Sequence, residues 1–126
     1  MYNVSKGRTS ILKNWNTTCY IAKKLPSNFD DYGNEITTYD KPKQYTFNIQ
    51  PISAESEARE FGELASSMLV AVILERDKFL GELNEFDKAY IYTSPYGESV
   101  NGEKANYRIY AIRPQNVVLK VYFLKI

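Results

Sequence analysis

Apolar and polar residues alternate along Tyr45-Thr46-Phe47-Asn48-Ile49-Gln50, which is the period of a β-strand that turns one face toward a core. An earlier run from Thr17 to Leu25 is rich in β-branched and aromatic residues and ends at the turn residues Pro26-Ser27-Asn28, so it also predicts a strand. The stretch Asp30-Asp31-Tyr32-Gly33-Asn34 has turn composition, because Gly and Asn tolerate positive φ and Asp bonds local N–H groups. We therefore predict a loop or hairpin end between two strands.

The pattern then becomes helical. Ser53 can cap a helix, and acidic residues in the next turn suit the positive end of its dipole. Apolar residues keep a helical spacing for up to five turns, but Gly62 and the β-branched residues after it favour a strand. We predict a short helix over residues 54–65 and then a strand to Arg76, with helix as the alternative for residues 66–76.

Strands dominate the rest of the chain. Phe86 to Tyr92 has strand composition, and dense turn residues from Thr93 to Lys104 predict an exposed, mobile loop. Ala105 to Ile112 and Val117 to Lys125 are predicted as two further strands, joined by a four-residue hairpin connection at residues 113–116. The last strand is too apolar to alternate, so we expect the core to cover one face and another chain to cover the other.

These elements predict a mainly β fold. About six strands, with one short helix inserted between the second and third, close most economically as a small antiparallel β-barrel or sandwich. The chain has 126 residues, enough for one domain. No strand or helix period runs through residues 1–16, so we predict an N-terminal arm there and a single β-barrel domain over residues 17–126.

Two segments carry candidate contacts with neighbouring subunits. The N-terminal arm combines basic side chains with apolar ones that a neighbour could bury. Its candidate contacts are Lys6, Arg8, Ile11, Leu12, Lys13 and Trp15. In the loop after Tyr92, Tyr96 and Val100 are candidates for ordering on contact, with an ordinary long hairpin loop as the alternative.

The composition argues against an enzyme. The chain has no histidine, which removes the commonest general base and metal ligand. Its single cysteine, Cys19, cannot form an internal disulfide or a multi-thiolate zinc site, and its strand-like surroundings predict a plain core residue. No phosphate-binding loop, dinucleotide fingerprint or nucleophile elbow occurs. We expect no catalytic residue, no metal, no cofactor and, since the longest apolar run is only residues 68–74, no membrane span.

The formal net charge of +1 conceals a partition along the chain. Residues 1–25 carry +5 with no acid, residues 26–103 carry −9, and residues 104–126 carry +5. Such asymmetry is expected of a protein that meets copies of itself or neighbours with complementary faces. An unevenly charged but merely solvated surface is the alternative.

Acidic residues cluster in the predicted helix at Glu55, Glu57, Glu60 and Glu63. Glycosidase chemistry needs two carboxylates on facing walls of a cleft, whereas these four are expected on a solvated helix surface. Tyrosine-rich strands can also stack nucleic-acid bases. The strand tyrosines are not concentrated with basic residues on one predicted face, so strand packing is the favoured interpretation.

Several stretches together resemble the head-closure (stopper or connector) proteins of long-tailed bacteriophages, which lie between the capsid portal and the tail. The resemblance covers roughly residues 30–126 and includes no catalytic signature. The stretches are Asp40-Lys41-Pro42-Lys43-Gln44-Tyr45, Asn48-Ile49-Gln50-Pro51-Ile52-Ser53, Glu60-Phe61-Gly62, Phe86-Asp87-Lys88-Ala89-Tyr90 and Ala105-Asn106-Tyr107-Arg108-Ile109-Tyr110-Ala111-Ile112-Arg113-Pro114-Gln115-Asn116. The first 16 residues have no counterpart in it.

The resemblance implies a structural virion protein of the neck, made in the cytoplasm of the bacterial host. It implies a homo-oligomeric β-barrel ring, dodecameric in such connectors, that closes the DNA-filled head and joins it to the tail. A portal or adaptor protein would lie above, a tail terminator or tail tube protein below, and double-stranded DNA would pass through the lumen without sequence recognition. The exact neck position, the number of subunits and the loop that blocks the channel are left open.

Charge suggests how such a ring would face its cargo. Each phosphate contact by Lys or Arg adds affinity for DNA, so a conduit should avoid basic contacts. We expect Glu55, Glu57, Glu60 and Glu63 to face the lumen, and the basic arm to reach an acidic neighbour. A tail terminator or tail-tube-type ring subunit, and a small nucleic-acid-binding β-barrel, are the alternative functions.

Overall fold

The computed structural model describes residues 16–126 and contains a closed six-stranded antiparallel β-barrel. In chain order the strands are β1 (Asn16–Ala22), β2 (Asn28–Phe29), β3 (Glu35–Ile36), β4 (Lys43–Pro51), β5 (Met68–Ile73), β6 (Lys88–Ile91), β7 (Tyr107–Gln115) and β8 (Val118–Lys125). The barrel order is β1-β4-β5-β8-β7-β6, and β6 pairs back onto β1. The predicted mainly β fold is confirmed. Asn16, assigned to the arm from the sequence, is the first residue of β1.

Alternate side chains of the barrel strands fill its interior, as the period of two requires. The largest cluster of buried apolar residues includes Cys19, Ile21, Phe47, Ile49, Ala71, Ile91, Ile109, Leu119, Val121 and Phe123. The core position predicted for Cys19 is confirmed, because its side chain is 0% exposed. Burial raises the pKa of Cys19 to about 12, so the thiol stays protonated and unreactive at neutral pH.

The helical insertion lies between β4 and β5, the second and third barrel strands. Helix α1 (Glu55–Phe61) is followed by a 3-10 helix (Gly62–Ser67), and β5 begins directly after it. Gly62, at φ 57°, ends α1 because its N–H turns back to the carbonyl of Ala58. The strand interpretation is thus confirmed for Met68–Ile73 only, since residues 66 and 67 belong to the 3-10 helix. The predicted end at Arg76 is wrong, because Arg76 begins a short helix α2 (Arg76–Phe79). Ser53 is not the cap: Ala54 holds that position without a side-chain bond.

The helical insertion covers the outside of the barrel. Phe61 packs against Tyr122 and Tyr110, with ring centroids 4.8 and 6.0 Å away, and Met68 and Val70 complete this second buried cluster. On β8, α1 covers Tyr122, whereas Val118 and Leu124 remain half-buried. That another chain covers the outer face of the last strand stays a prediction.

The connection from β1 to β4 contains the hairpin that was predicted around residues 30–34. β2 and β3 pair through Asn28 with Ile36 and Phe29 with Glu35. Asp30 closes the turn, because its carboxylate accepts hydrogen bonds from the backbone N–H groups of Tyr32 and Asn34, at 2.9 and 2.8 Å. These backbone bonds hold the pKa of the Asp30 carboxyl below its ordinary value.

The shortest barrel pairing joins β6 to β7 through Lys88 with Arg108 and Ala89 with Tyr107. The predicted strand over residues 86–92 is shortened at both ends, where Phe86 and Tyr92 take positive φ angles of 73° and 63°. The amide side chain of Asn106 extends the pairing. Its nitrogen donates to the carbonyl of Ile91 at 2.6 Å, and its oxygen accepts from the Ile91 N–H at 2.9 Å.

The predicted four-residue connection at residues 113–116 is wrong. Strand β7 runs to Gln115, which pairs with Val118, so the turn has only two residues, Asn116 and Val117. Pro114 is tolerated inside the strand because, next to that turn, its backbone nitrogen points away from β8. β6 pairs with β7 only at residues 107 and 108, so Pro114 lies on an open edge and interrupts no ladder.

Candidate functional site

The candidate contact residues fall into two groups. Lys6, Arg8, Ile11, Leu12, Lys13 and Trp15 lie outside the described residues. Tyr96 and Val100 lie in the loop between β6 and β7 and are 89% and 66% exposed. Their accessibility agrees with a contact role and does not distinguish it from an ordinary loop.

That loop is folded against β6. The hydroxyl of Tyr90, a fully buried side chain, donates to Glu98 at 2.6 Å and accepts from the backbone N–H of Gly102 at 2.7 Å. The Lys104 ammonium also donates to the Tyr96 carbonyl at 3.0 Å. The sequence predicted an exposed, mobile loop, but these bonds give it a defined conformation that presents Tyr96 and Val100.

Among the four acids predicted to share a solvated face, Glu57 points toward the barrel. Its carboxylate accepts a hydrogen bond from the Tyr122 hydroxyl and lies 3.5 Å from the Lys120 ammonium. The Glu57 side chain is only 14% exposed. The prediction of a solvated surface is wrong for Glu57, because the helix places it over β8, where buried polar groups need partners.

The other acids are more accessible, and two have basic partners. Glu60 pairs with Arg113, whose guanidinium lies 5.2 Å from the ring centroid of Phe61 and 5.5 Å from that of Tyr122. Glu55 pairs with Arg59 one turn along α1. Glu63 makes no ion pair within residues 16–126. The surface that carries these acidic residues therefore has less net negative charge than the sequence predicted.

A different surface brings together basic and aromatic side chains from four segments. We call it the basic–aromatic patch, and it consists of Lys24, Tyr39, Phe86, Lys88, Arg108 and Tyr110. Cation–π contacts connect its members: the Lys24 ammonium and the Arg108 guanidinium lie 5.5 and 5.8 Å from the Phe86 ring centroid. Arg108 also lies 5.4 Å from the Tyr110 ring, and Lys88 lies 4.8 Å from the Tyr39 ring.

The patch is chemically able to bind an anionic partner. Within residues 16–126, none of Lys24, Lys88 and Arg108 has a carboxylate within 4.0 Å. Phe86 is 56% exposed. Its φ is positive, and this backbone conformation is costly for a residue with a bulky side chain. Lys24, Lys88 and Arg108 are half-buried. Cations beside an exposed aromatic ring bind carboxylates or phosphates and cover apolar groups at the same time.

Two clefts lie at the β5–α2 end of the barrel, and several of their charged groups bond to each other. In the smaller cleft, of about 180 Å³, Glu82 accepts hydrogen bonds from Lys43 at 2.9 Å and Tyr45 at 3.0 Å. The bond from Lys43 keeps the pKa of Glu82 below its ordinary value. The larger cleft, of about 350 Å³, contains the ion pairs Arg76–Asp77 and Lys78–Glu75.

Asp87 is the one buried charged residue among those the structure describes, and its role is structural. Its carboxylate accepts from the backbone N–H groups of Lys24 at 2.8 Å and Asn84 at 3.0 Å, so it fastens the end of β1 to the start of β6. Burial raises the pKa of Asp87 above its ordinary value, in spite of these bonds. From residue 16 onward, no side-chain cluster could hold a metal ion and no helix could span a membrane.

Comparisons with known proteins bear on the fold alone. The sequence matches no protein-family model and no curated protein. The structure is similar to the solution structure of protein SF1141 from Shigella flexneri 2a, with a TM-score of 0.56 and 17% sequence identity. The alignment covers 86% of this chain and 90% of that protein. The likeness supports a shared β architecture and carries no statement of function.

Proposed function

We propose that this protein is a non-enzymatic virion protein, a head-closure subunit in the neck of a long-tailed bacteriophage. It would form a homo-oligomeric ring that closes the DNA-filled head and joins it to the tail. The observation that carries the proposal is the resemblance over residues 30–126 together with the fold expected from it, a barrel with one helix between its second and third strands.

The resembling stretches are separate in the sequence but meet in the structure. Glu60 and Phe61 end α1 and contact Arg113 and Tyr110 of β7 through an ion pair and an aromatic contact. Pro51 and Ser53 lie at the corner that leads into the same helix. The stretches therefore specify how the helix sits on the barrel, which supports a likeness in architecture and role.

In the proposed ring, α1 and the 3-10 helix face the DNA lumen. Glu63 would present negative charge to the duplex, since it is exposed and makes no ion pair within residues 16–126. Glu55 is 79% exposed and contributes less, because it pairs with Arg59. Glu60 contributes less because Arg113 neutralises it, and Glu57 holds the helix in place. Repulsion at the wall would keep DNA moving, because each basic contact would slow it.

The N-terminal arm and the loop between β6 and β7 supply the proposed contacts with other proteins. The basic arm, with Lys6, Arg8, Lys13 and Trp15, would reach an acidic surface on the portal or adaptor protein or on the next subunit. On the tail side, Tyr96 and Val100 present apolar surface from a loop held by Tyr90. A tail terminator or tail tube protein is the expected partner there.

The decisive experiment uses the phage that encodes the chain. Particles made without this protein should contain filled heads that leak DNA and lack tails, and supplying the wild-type chain should restore tailed particles. A map of the intact neck should show the chain as a ring between portal and tail. Absence of the protein from purified particles would refute the proposal, and salt-dependent oligonucleotide binding by a monomer would favour the small nucleic-acid-binding barrel.

A further inference from the structure

We propose that an acidic hairpin of one copy, residues 26–38, docks on the basic–aromatic patch of the next copy and so makes the contact that builds the ring. The inference rests on the proposed function, because it identifies the surfaces by which copies of the chain join. The hairpin adjoins the patch, because Lys24 and Tyr39 of the patch form the β-bridge at the base of the hairpin. Each of the two surfaces has features that lack a partner within residues 16–126.

The acidic hairpin exposes apolar side chains that its own barrel does not cover. Phe29, Tyr32 and Ile36 are 70%, 90% and 42% exposed. β2 and β3 pair through only two residue pairs. A two-stranded hairpin gains little stability in water by itself, and clustered exposed apolar groups mark contact sites.

Hydrogen bonds within the hairpin also order it before any contact forms. The carboxylate of Asp30 holds the turn through two backbone N–H groups, and the Asp30 N–H in turn donates to the Asn34 carbonyl at 2.9 Å. Ser27 donates to Glu35 at 2.6 Å across the ladder. A tip that is ordered before binding loses less conformational entropy when it docks.

Charge complementarity identifies the receiving surface. Residues 26–38 contain Asp30, Asp31 and Glu35 and no basic residue, so the hairpin carries −3. The patch contributes Lys24, Lys88 and Arg108, and remains net positive with the exposed Glu85 beside Phe86. The exposed rings of Tyr32 and Phe86 would be buried together, while the charges fix the register.

The proposed contact joins two unlike surfaces. The hairpin of one copy meets the patch of the next, so each copy gives one surface and receives the other, which is a head-to-tail contact. Repetition of such a contact closes a ring when the rotation between copies divides the circle. A self-complementary contact would stop at a dimer.

The test uses two full-length charge-reversal variants and sedimentation velocity over a series of protein concentrations. The hairpin variant is D31K/E35K, which keeps the Asp30 turn bonds but removes the bond from Ser27 to Glu35, and S27A reports the effect of losing that bond alone. The patch variant is K24E/R108E. Each variant alone should associate at least about tenfold more weakly than the wild type, because like charges would then meet. The matched control for the hairpin variant is E75K/D77K, which changes the net charge by the same amount on the exposed residues beside α2 and should associate like the wild type.

Mixing provides the sharper measurement. In a 1:1 mixture, the intact hairpin of the patch variant meets the intact patch of the hairpin variant, and the reversed hairpin meets the reversed patch. Both contacts are complementary in charge, so the mixture should recover assembly that neither variant shows alone. A chain that carries all four reversals should recover assembly, because its charges are again complementary. Circular dichroism of each variant shows whether the barrel is folded, and a conservative pair, D31N/E35Q, should give an intermediate loss if the charge-reversed chain does not fold.

The results that would contradict this contact differ from the results that would contradict the proposed function. A wild-type chain that stays monomeric at every concentration, or a mixture that does not associate, overturns this contact. Assembly that survives both reversals also overturns it and places the ring contact elsewhere. If oligonucleotide binding is lost in K24E/R108E while self-association is unchanged, the patch serves nucleic acid. None of these results removes the protein from phage particles, which is the result that would refute the neck assignment.

Discussion

The hydroxyl of Tyr122 on β8 donates a hydrogen bond to Glu57 on α1 across 65 positions of the chain. Tyr122 is only 1% exposed, so this bond forms in a site that is nearly free of water. Burial, and secondarily the Glu57 carboxylate, raise the pKa of Tyr122, which keeps the phenol protonated as a donor. The bond therefore anchors the outer helix to the barrel and gives one acidic residue of α1 a structural role.

Removing the Tyr122 hydroxyl should destabilise the protein. Tyr122→Phe leaves Glu57 with Lys120 at 3.5 Å as its remaining partner. We expect the free energy of unfolding to fall by about 1–2 kcal/mol, measured by urea unfolding. Tyr92→Phe is the control, since Tyr92 is 69% exposed, and it should change the free energy by less than about 0.5 kcal/mol. Equal effects of the two substitutions would contradict the anchoring role.

The side chain of Asn106 should be required for closure of the barrel between β6 and β7. Asn106→Asp replaces the donor to the Ile91 carbonyl with a carboxylate oxygen, so two acceptors would face each other. We expect a loss of about 1–3 kcal/mol at neutral pH, smaller in acid, where a protonated Asp can donate again. Hydrogen exchange at the Ile91 N–H should accelerate. An unchanged exchange rate would show that the side chain is dispensable.

The buried carboxyl of Asp87 should leave a signature in the pH dependence of stability. Its folded-state pKa is raised above the ordinary value of 3.8, so the native state binds the proton more tightly than the unfolded chain. The stability that this protonation contributes is present below the unfolded pKa and is lost as pH rises through the folded pKa. Relative to Asp87→Asn, the wild type should lose stability as pH rises from about 3 to about 7. A difference that stays constant or grows would contradict the assignment.

The N-terminal arm should serve assembly and not folding. Deleting residues 1–15 removes only sequence that precedes β1, so the truncated chain should keep the far-ultraviolet spectrum and cooperative unfolding of a barrel. It should fail to join its neighbour, measured as loss of co-sedimentation with portal or tail proteins. Truncated protein that assembles as well as the full chain would contradict the proposed role of Lys6, Arg8 and Trp15.

Reversing charge on the proposed lumen wall should slow DNA passage. Glu55→Lys with Glu63→Lys would put two cations where the duplex passes, and each would attract phosphate. Particles carrying this variant should eject DNA more slowly, with the largest effect at low salt. E75K/D77K, which is placed beside α2, is the charge-matched control. Ejection at the wild-type rate would place α1 on the outer wall of the ring.

Local patterns predicted much of the fold. Alternation from Tyr45 to Gln50 identified β4, and the break at Gly62 separated the helix from β5, because both signals depend on neighbouring residues only. Pro114 was misplaced in a turn because it normally ends a strand, and only the short pairing of β6 shows that this edge is open. The packing of α1 on Tyr122 of β8 was not predicted, because the sequence does not show where α1 will lie.

The candidate sites were harder to predict, since they depend on contacts between distant segments. Lys24, Phe86 and Arg108 are unremarkable singly, and only the barrel brings them within cation–π distance. The burial of Glu57 has the same origin, because its partner Tyr122 lies on the final strand. Neither composition nor periodicity predicts that an aromatic residue such as Phe86 will be exposed and have a positive φ.

The side chains inside the barrel have a consequence for any channel through the neck. Phe47, Ile91 and Phe123 meet at the centre and are at most 5% exposed, so no duplex can thread a single molecule. In the proposed ring, the bore would therefore lie between molecules arranged around an axis, and its diameter would be set by the number of copies. Gain or loss of one copy would widen or narrow the passage while every barrel stayed intact.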